Sequence, residues 1–175
     1  VLYSWYWGNH LPLSESLPFY HCSVAMFVLL LIPGTSKYKQ YFALLGTFGA
    51  TAAMTYPLFD PYPFPHVTIL SFIIGHVALL GNALLYLFKN YEASLLNFKN
   101  VAVITFTLNA LIWVVNLVVS GDYGFLTRPP LVGNHGQLLN YLIVSSVIVI
   151  AICVTAKLLE IFLQQKSEEF IQEKV

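Results

Sequence analysis

The chain has 175 residues, 58% of them hydrophobic and only 9% charged, whereas soluble domains carry roughly 25% charged residues. With mean hydropathy at +0.73, the composition excludes a water-soluble domain and requires an integral membrane protein. Zero net charge gives no footing for nucleic-acid binding, so membrane lipid is the one partner indicated.

In chain order, the aromatic opening "VLYSWYWGNH" comes first. Tyr3, Trp5, Tyr6 and Trp7 suit an interfacial belt. Residues 1–8 read as the outer end of a helix whose body precedes Val1. No basic region comes before an apolar core, so the stretch is not a signal peptide, and the chain is expected to be a fragment. Spanning the bilayer core takes about 20 mostly apolar residues in helical form. Five segments qualify: 17–34, 41–57, 66–88, 100–119 and 138–163. Helices are expected because backbone groups in lipid must be satisfied internally. Pro33 and Pro57 mark the ends of the first two, and "PLFDPYPFP" leads into the third. The fold class is therefore all-α, a polytopic transmembrane helix bundle over 1–163 with a polar, cytoplasmic tail at 164–175. In that tail Glu168, Glu169, Glu173 and Lys174 read as a solvated helical extension.

If the helices alternate, Lys37, Lys39, Lys89, Lys99, Lys157, Lys166 and Lys174 all fall on one side, and the other side carries only Arg128. The positive-inside rule then puts the N-terminal stretch outside and the C-terminus in the cytoplasm. By contrast His10, His21, His66, His76 and His135, with Asp60, Asp122 and Cys22, belong to the outer half or the midplane. That asymmetry points to a site opening outward.

Polar side chains at membrane depth are costly and mark functional candidates, with helix packing as the competing reading. In 41–57, Gly46, Gly49, Ala50 and Ala53, with Thr47, Thr51 and Thr55 at four-residue steps, read as packing. Thr105, Asn109 and Asn116 fall on one stripe that must face the protein interior. They either join helices or line a cavity, and Asn116, near the outer end, is the better functional candidate. In 66–88, His66 opens the helix and His76 sits roughly 15 Å deeper, in company with Ser71, Gly75 and Asn82. Cys22 lies about one and a half turns into the first segment. On its own it would be a small hydrophobe, as Cys153 is taken to be. The two cysteines sit in different apolar runs, with no zinc-type spacing and no disulfide framework.

Three blocks carry a family resemblance. "LPFYHCSVAMFVLLLIP", "FPHVTILSFIIGHVALL" and "VVNLVVSGDYGFLTRPP" resemble, in order and spacing, signature blocks of the YwaF-like bacterial integral membrane proteins. The resemblance covers about residues 11–135. It implies a seven-helix protein of the bacterial cytoplasmic membrane, lacking here its first helix and most of its second. More distantly, that group is similar to a transmembrane phospholipid acyltransferase that uses a cysteine, and to androgen-induced hydrolases of fatty-acid esters that use a threonine and a histidine. By this resemblance Cys22 takes the nucleophile's place and His76 the base's. After Pro130 the chain departs from the family pattern, with "LVGNHGQLLNYLIV" where an acidic, Trp- and Pro-rich block is expected. No role is assigned to His135.

Thiolate is the reactive form of cysteine, so a thiol in an apolar site needs a base close by. His76 would serve if the first and third segments pack together, with His66 as a substitute and Asn116 or Tyr123 orienting the base or an oxyanion. In a simple helix picture His76 lies roughly 6–8 Å deeper than Cys22. His21, next to Cys22, points about 100° away from it. The expected reaction is hydrolysis of a lipid ester, or acyl transfer from it, through an acyl-cysteine. The alternative is a non-enzymatic binding or transport component whose polar cavity is lined by Asn109, Asn116 and His76. A metal site from the histidines with Asp60 or Asp122 is a third reading, without the close helical spacing that ligand pairs favour. No cofactor is called for.

Overall fold

The computed structural model describes residues 1–130, 133 and 135–172, the side chains of 167–172 excepted. Glu173 and Lys174 of the expected tail, and the side chains of Glu168 and Glu169, lie outside the described residues. The described chain is helical without strands: α1 (Leu2–Gly8), α2 (Leu13–Ser16), α3 (His21–Leu31), α4 (Lys37–Thr55), α5 (Val67–Asn90), α6 (Phe98–Val119) and α7 (Gln137–Gln172), with 3₁₀ turns at Ala93–Leu95 and Tyr123–Phe125.

Each of the five expected segments holds one of the helices α3 to α7, and local chemistry explains the shifted ends. The first segment shrinks most, from 17–34 to the 11 residues of α3. Pro18 disfavours helix at Leu17, and Pro33 does the same at Ile32, which is extended. α4 begins four residues earlier than expected because the Ser36 hydroxyl caps it, accepting from Lys39 N at 3.1 Å. His66 caps α5 in the same way through Thr68 N, and Asn97 caps α6 through Asn100 N at 2.8 Å. α6 closes on Ser120 in the left-handed conformation, φ 55°. α7 runs on without a break at 163 to Gln172, about 54 Å at 1.5 Å per residue.

Three helices are long and apolar enough to cross a membrane: α5, α6 and α7 through Lys166. Among the described residues, α3 is apolar but short, and α3 and α4 fall outside the length and composition that α5, α6 and α7 meet. α4 falls short on composition because it opens "KYKQ" and is rich in Gly and Thr. Its position explains the tolerance. α4 packs against α3, α5 and α7, and Gln40 to Gly46 are all buried. Tyr41, Leu44 and Leu45 sit at the centre of the core with Leu79, Leu87 and Ile152. Large apolar side chains on α5, α6 and α7 face outward, Ile74 at 67% and Val118 at 79% exposure. In water this would be a fault; in hydrocarbon it is the expected surface.

Candidate functional site

The buried polar residues of the spans run along α6 from its Lys99 end to the end that carries the histidines. Thr105, Asn109 and Asn116 are buried, as an interior stripe requires, and each joins α6 to something different. Thr105 Oγ1 pairs with Tyr41 Oη of α4 at 2.8 Å. Asn109 Oδ1 accepts from His21 Nε2 of α3 at 2.7 Å, and its Nδ2 donates to Ser145 Oγ of α7 at 2.9 Å. Asn116 spends both amide ends on the backbone of Tyr123: Nδ2 donates to its carbonyl at 2.9 Å and Oδ1 accepts from its N–H at 2.8 Å. Asn116 therefore holds a loop, and no described bond turns it toward His76.

Tyr123 continues this seal at the end of the bundle that carries the histidines. Its hydroxyl donates to Leu13 O at 2.6 Å and accepts from Leu17 N at 2.8 Å, so it pins α2 and the extended 17–20 stretch onto the end of α6. Burial pushes the phenol's pKa up, which keeps it a neutral donor. The loop reaches His21 as well. Gly124, at φ 68°, leaves room where a Cβ would stand 2.8 Å from His21 Cε1.

His66 is engaged as the α5 cap. Its Nδ1 pairs with Thr68 Oγ1 at 2.9 Å, and its ring stacks on Tyr62 and meets the edge of Trp5. Asp60 accepts from Tyr6 Oη at 2.7 Å, and Asp122 accepts from the N–H groups of Thr127 and Arg128. Among the described residues no three His, Cys, Asp or Glu side chains gather to hold a metal, which leaves the metal reading without a site.

Cys22 and His76 are approached through α4, whose Thr47, Thr51 and Thr55 hydroxyls bond back to their own helix and whose glycines receive the neighbouring helices. A Cβ at Gly46 would stand 2.9 Å from Leu79 Cδ1 and 3.6 Å from Ala25 Cβ, so α3 and α5 meet at that level. One step outward, a Cβ at Gly49 would stand 2.8 Å from Cys22 Sγ. Cys22 precedes Ala25 by three residues, and His76 precedes Leu79 by three. Residues three apart lie on neighbouring parts of one helix face, so Cys22 is on the α4-facing side of α3, and His76 lies about one turn from Leu79 on the parallel α5. A second contact places Met26 Cε 3.4 Å from the Cβ position of Gly75. Helical side chains lean toward the N-terminus, which for His76 is the end of α5 that carries His66. His76 Nδ1 donates to Phe72 O at 2.8 Å, with the ring against Phe72. That bond leaves the Nε2 lone pair as the basic position. No hydrogen bond among the described residues joins Cys22 to His76 or to His66.

Sequence reasoning undervalued His21. Its neighbour Cys22 drew attention, yet His21 is the residue in the polar network, and its partners come from 88 and more residues away. The one available signal was the interior stripe of α6, whose Asn109 needed a partner from another helix. Ser145, alone with Ser146 in the apolar "YLIVSSVIVIA", was the other half of that signal.

The fold and this network define a polytopic helical membrane protein with a polar centre near one end. The model of the TMEM164 family, a family of membrane proteins, matches residues 1–158, and the chain belongs to that family. No curated protein and no solved structure matches it. All three sequence blocks fall inside the matched range, and their YwaF-like and acyltransferase resemblance enters below as part of a proposal.

Proposed function

We infer that the protein is a lipid acyl hydrolase or acyltransferase of the membrane, with Cys22 as nucleophile and His76 as base. The observation that supports this most is the Cys22 sulfur against Gly49 of α4, with His76 about one turn from Leu79, which meets the same helix at Gly46. The tautomer set by Phe72 O agrees, because it presents Nε2 as a proton acceptor. In the reaction the Cys22 Sγ proton passes to His76 Nε2 and sulfur attacks the ester carbonyl. The tetrahedral intermediate collapses, and the leaving alkoxide takes the proton back from the imidazolium. Water or a second alcohol then attacks the thioester while His76 accepts its proton, releasing the acyl product and restoring the thiol. Lipid supplies the ester directly from the bilayer, with the histidine-rich end facing outward and the lysines in the cytoplasm.

The binding or transport alternative is less well supported. It requires Asn109 and Asn116 to face a cavity, and both amides are bonded at both ends within the protein. The test is labelling of the protein in nanodiscs with a fatty-acyl electrophilic probe, mapped by mass spectrometry. Wild type is expected to be labelled at Cys22, Cys22→Ala not at all, and His76→Ala at least tenfold less. Equal labelling of wild type and His76→Ala would remove the base from the proposal. An unlabelled Cys22 in folded protein would remove the nucleophile.

A further inference from the structure

On the far side of α4 from Cys22, α5 and α7 diverge and leave a groove of about 380 Å³. Thr47 and Thr51 form its floor, with Leu84 and Phe88 on one wall and Thr155 and Phe162 on the other. The Phe88 and Phe162 rings meet at a centroid distance of 5.8 Å where the walls come together. The three threonines are its only lining hydroxyls, and none offers its proton outward. Thr47, Thr51 and Thr155 each donate to the carbonyl four residues earlier in their own helix, at 2.9, 2.8 and 2.8 Å. A surface with its polar groups satisfied internally favours hydrocarbon over a headgroup or a polar metabolite.

Charge then selects the occupant. Lys89 follows Phe88 directly, and Lys166 stands one helical turn beyond Phe162 on the same face of α7. Both are exposed. Among the described side chains the one ion pair is Lys157 with Glu160, and Lys89 and Lys166 place two ammonium groups beside the end of an apolar groove. Basic residues at a membrane surface attract anionic headgroups.

We propose that this groove is a binding site for an anionic glycerophospholipid of the lysine-side leaflet, with one acyl chain between α5 and α7 and the phosphate between Lys89 and Lys166. The site is separate from Cys22 and does not depend on the proposed acyl chemistry. A bound lipid there would hold α5 and α7 at a fixed spacing against α4, the helix that also carries Gly49.

The test uses the full chain in phosphatidylcholine nanodiscs doped with phosphatidylglycerol carrying a photoreactive diazirine in one acyl chain. A phosphatidylcholine bearing the same tail is the control, and adducts are mapped by mass spectrometry. Phosphatidylglycerol adducts are expected to concentrate on the groove residues, several-fold above the control lipid. The Lys89→Gln, Lys166→Gln double variant is expected to bring the two lipids level. Thr51→Phe, which fills the floor from an exposed position, is expected to remove groove adducts from both lipids while circular dichroism stays unchanged. Three results would overturn the proposal. One is adducts spread evenly over lipid-facing residues such as Leu111, Val114 and Val118. Another is equal groove labelling by the two lipids in wild type. The third is a groove free of adducts in protein that cross-links to a second copy, which would make this face a protein interface.

Discussion

At the scale of single residues, the contact between Gly49 and Cys22 carries the most consequence. Glycine inside a helix costs about 1 kcal/mol relative to alanine, so Gly49→Ala should strengthen α4 taken alone. Its new methyl would nevertheless stand 2.8 Å from Sγ, and the thiol would have to rotate or α3 draw back. Gly49→Ala is expected to lower acyl-probe labelling of Cys22 several-fold with little change in thermal stability, while Gly81→Ala, which meets nothing, leaves labelling unchanged. Unaltered labelling in Gly49→Ala would mean that Sγ position does not matter. His21 makes a different prediction, one of stability. Removing its ring leaves Asn109 Oδ1 buried without its partner, and a buried unsatisfied group costs about 1–3 kcal/mol. His21→Ala is expected to lose roughly that much in an unfolding titration, whereas His21→Gln, whose amide supplies a donor, recovers part of it. The sequence made Cys22 and His76 visible as types in unusual places. The pairing of His21 with Asn109, and the approach of Gly49 to sulfur, depend on which helices are neighbours, and no local pattern encodes that.

Helix by helix, two buried amides perform the same task at opposite ends of the bundle. Gln40 of α4 clamps the backbone of Glu92, with Nε2 donating to its carbonyl and Oε1 accepting from its N–H, both at 2.9 Å. Asn116 of α6 clamps Tyr123 in the same way. Each fixes a loop that would otherwise leave backbone groups unpaired at the membrane boundary. Asn116→Ala strands the Tyr123 N–H and carbonyl and is expected to destabilise by about 1–3 kcal/mol for each group that stays dry. The 120–128 loop should then be cleaved by protease in detergent while Asn116→Asp, which retains the acceptor, resists longer. Equal resistance in wild type and Asn116→Ala would show that Tyr123 is held by its hydroxyl alone. This role was only half legible. The spacing of Thr105, Asn109 and Asn116 required an interior face, and the structure has one. What the stripe touches was open, because Asn joins helices and lines cavities with the same chemistry. Helix ends were legible where a proline stood, at Ile32, and shifted where a polar cap such as Ser36 extended a helix beyond its apolar run.

For the molecule as a whole, the question is whether α3 crosses. Its 11 residues rise about 16 Å, roughly half of a 30 Å hydrocarbon core. The flanking non-helical residues 17–20 and 32–33 add at most about 20 Å at 3.3 Å each, so Leu17 to Pro33 reaches across only where these parts run along the bilayer normal and are covered by protein. On the histidine side they are, since Leu17 N is bonded by Tyr123 and Tyr20 packs on Tyr123 and Phe125. At the other end Lys39 Nζ donates to the Ile32 carbonyl, closing the exit of α3 with a side chain of α4. Non-helical backbone is tolerated at membrane depth when it is buried in this way. Single cysteines at Glu15, Thr35 or Ser94, in a Cys22→Ser, Cys153→Ser background, test the crossing with a membrane-impermeant thiol reagent on sealed vesicles. Glu15→Cys is expected to react from one side, and Thr35→Cys and Ser94→Cys from the other, because α4 and α5 return the chain to the side where α3 left it. If Glu15→Cys and Thr35→Cys react from the same side, α3 enters and leaves by one face. Cys22 would then sit in a re-entrant loop, and the N-terminal stretch with His10 would share the side of the lysine-rich loops. The charge asymmetry argues for the crossing: α4 and α5 put Lys37 and Lys39 with Lys89 and Lys99 whether or not α3 crosses, and only an odd passage through α3 keeps His10 with His66 and Asp122 on the opposite face.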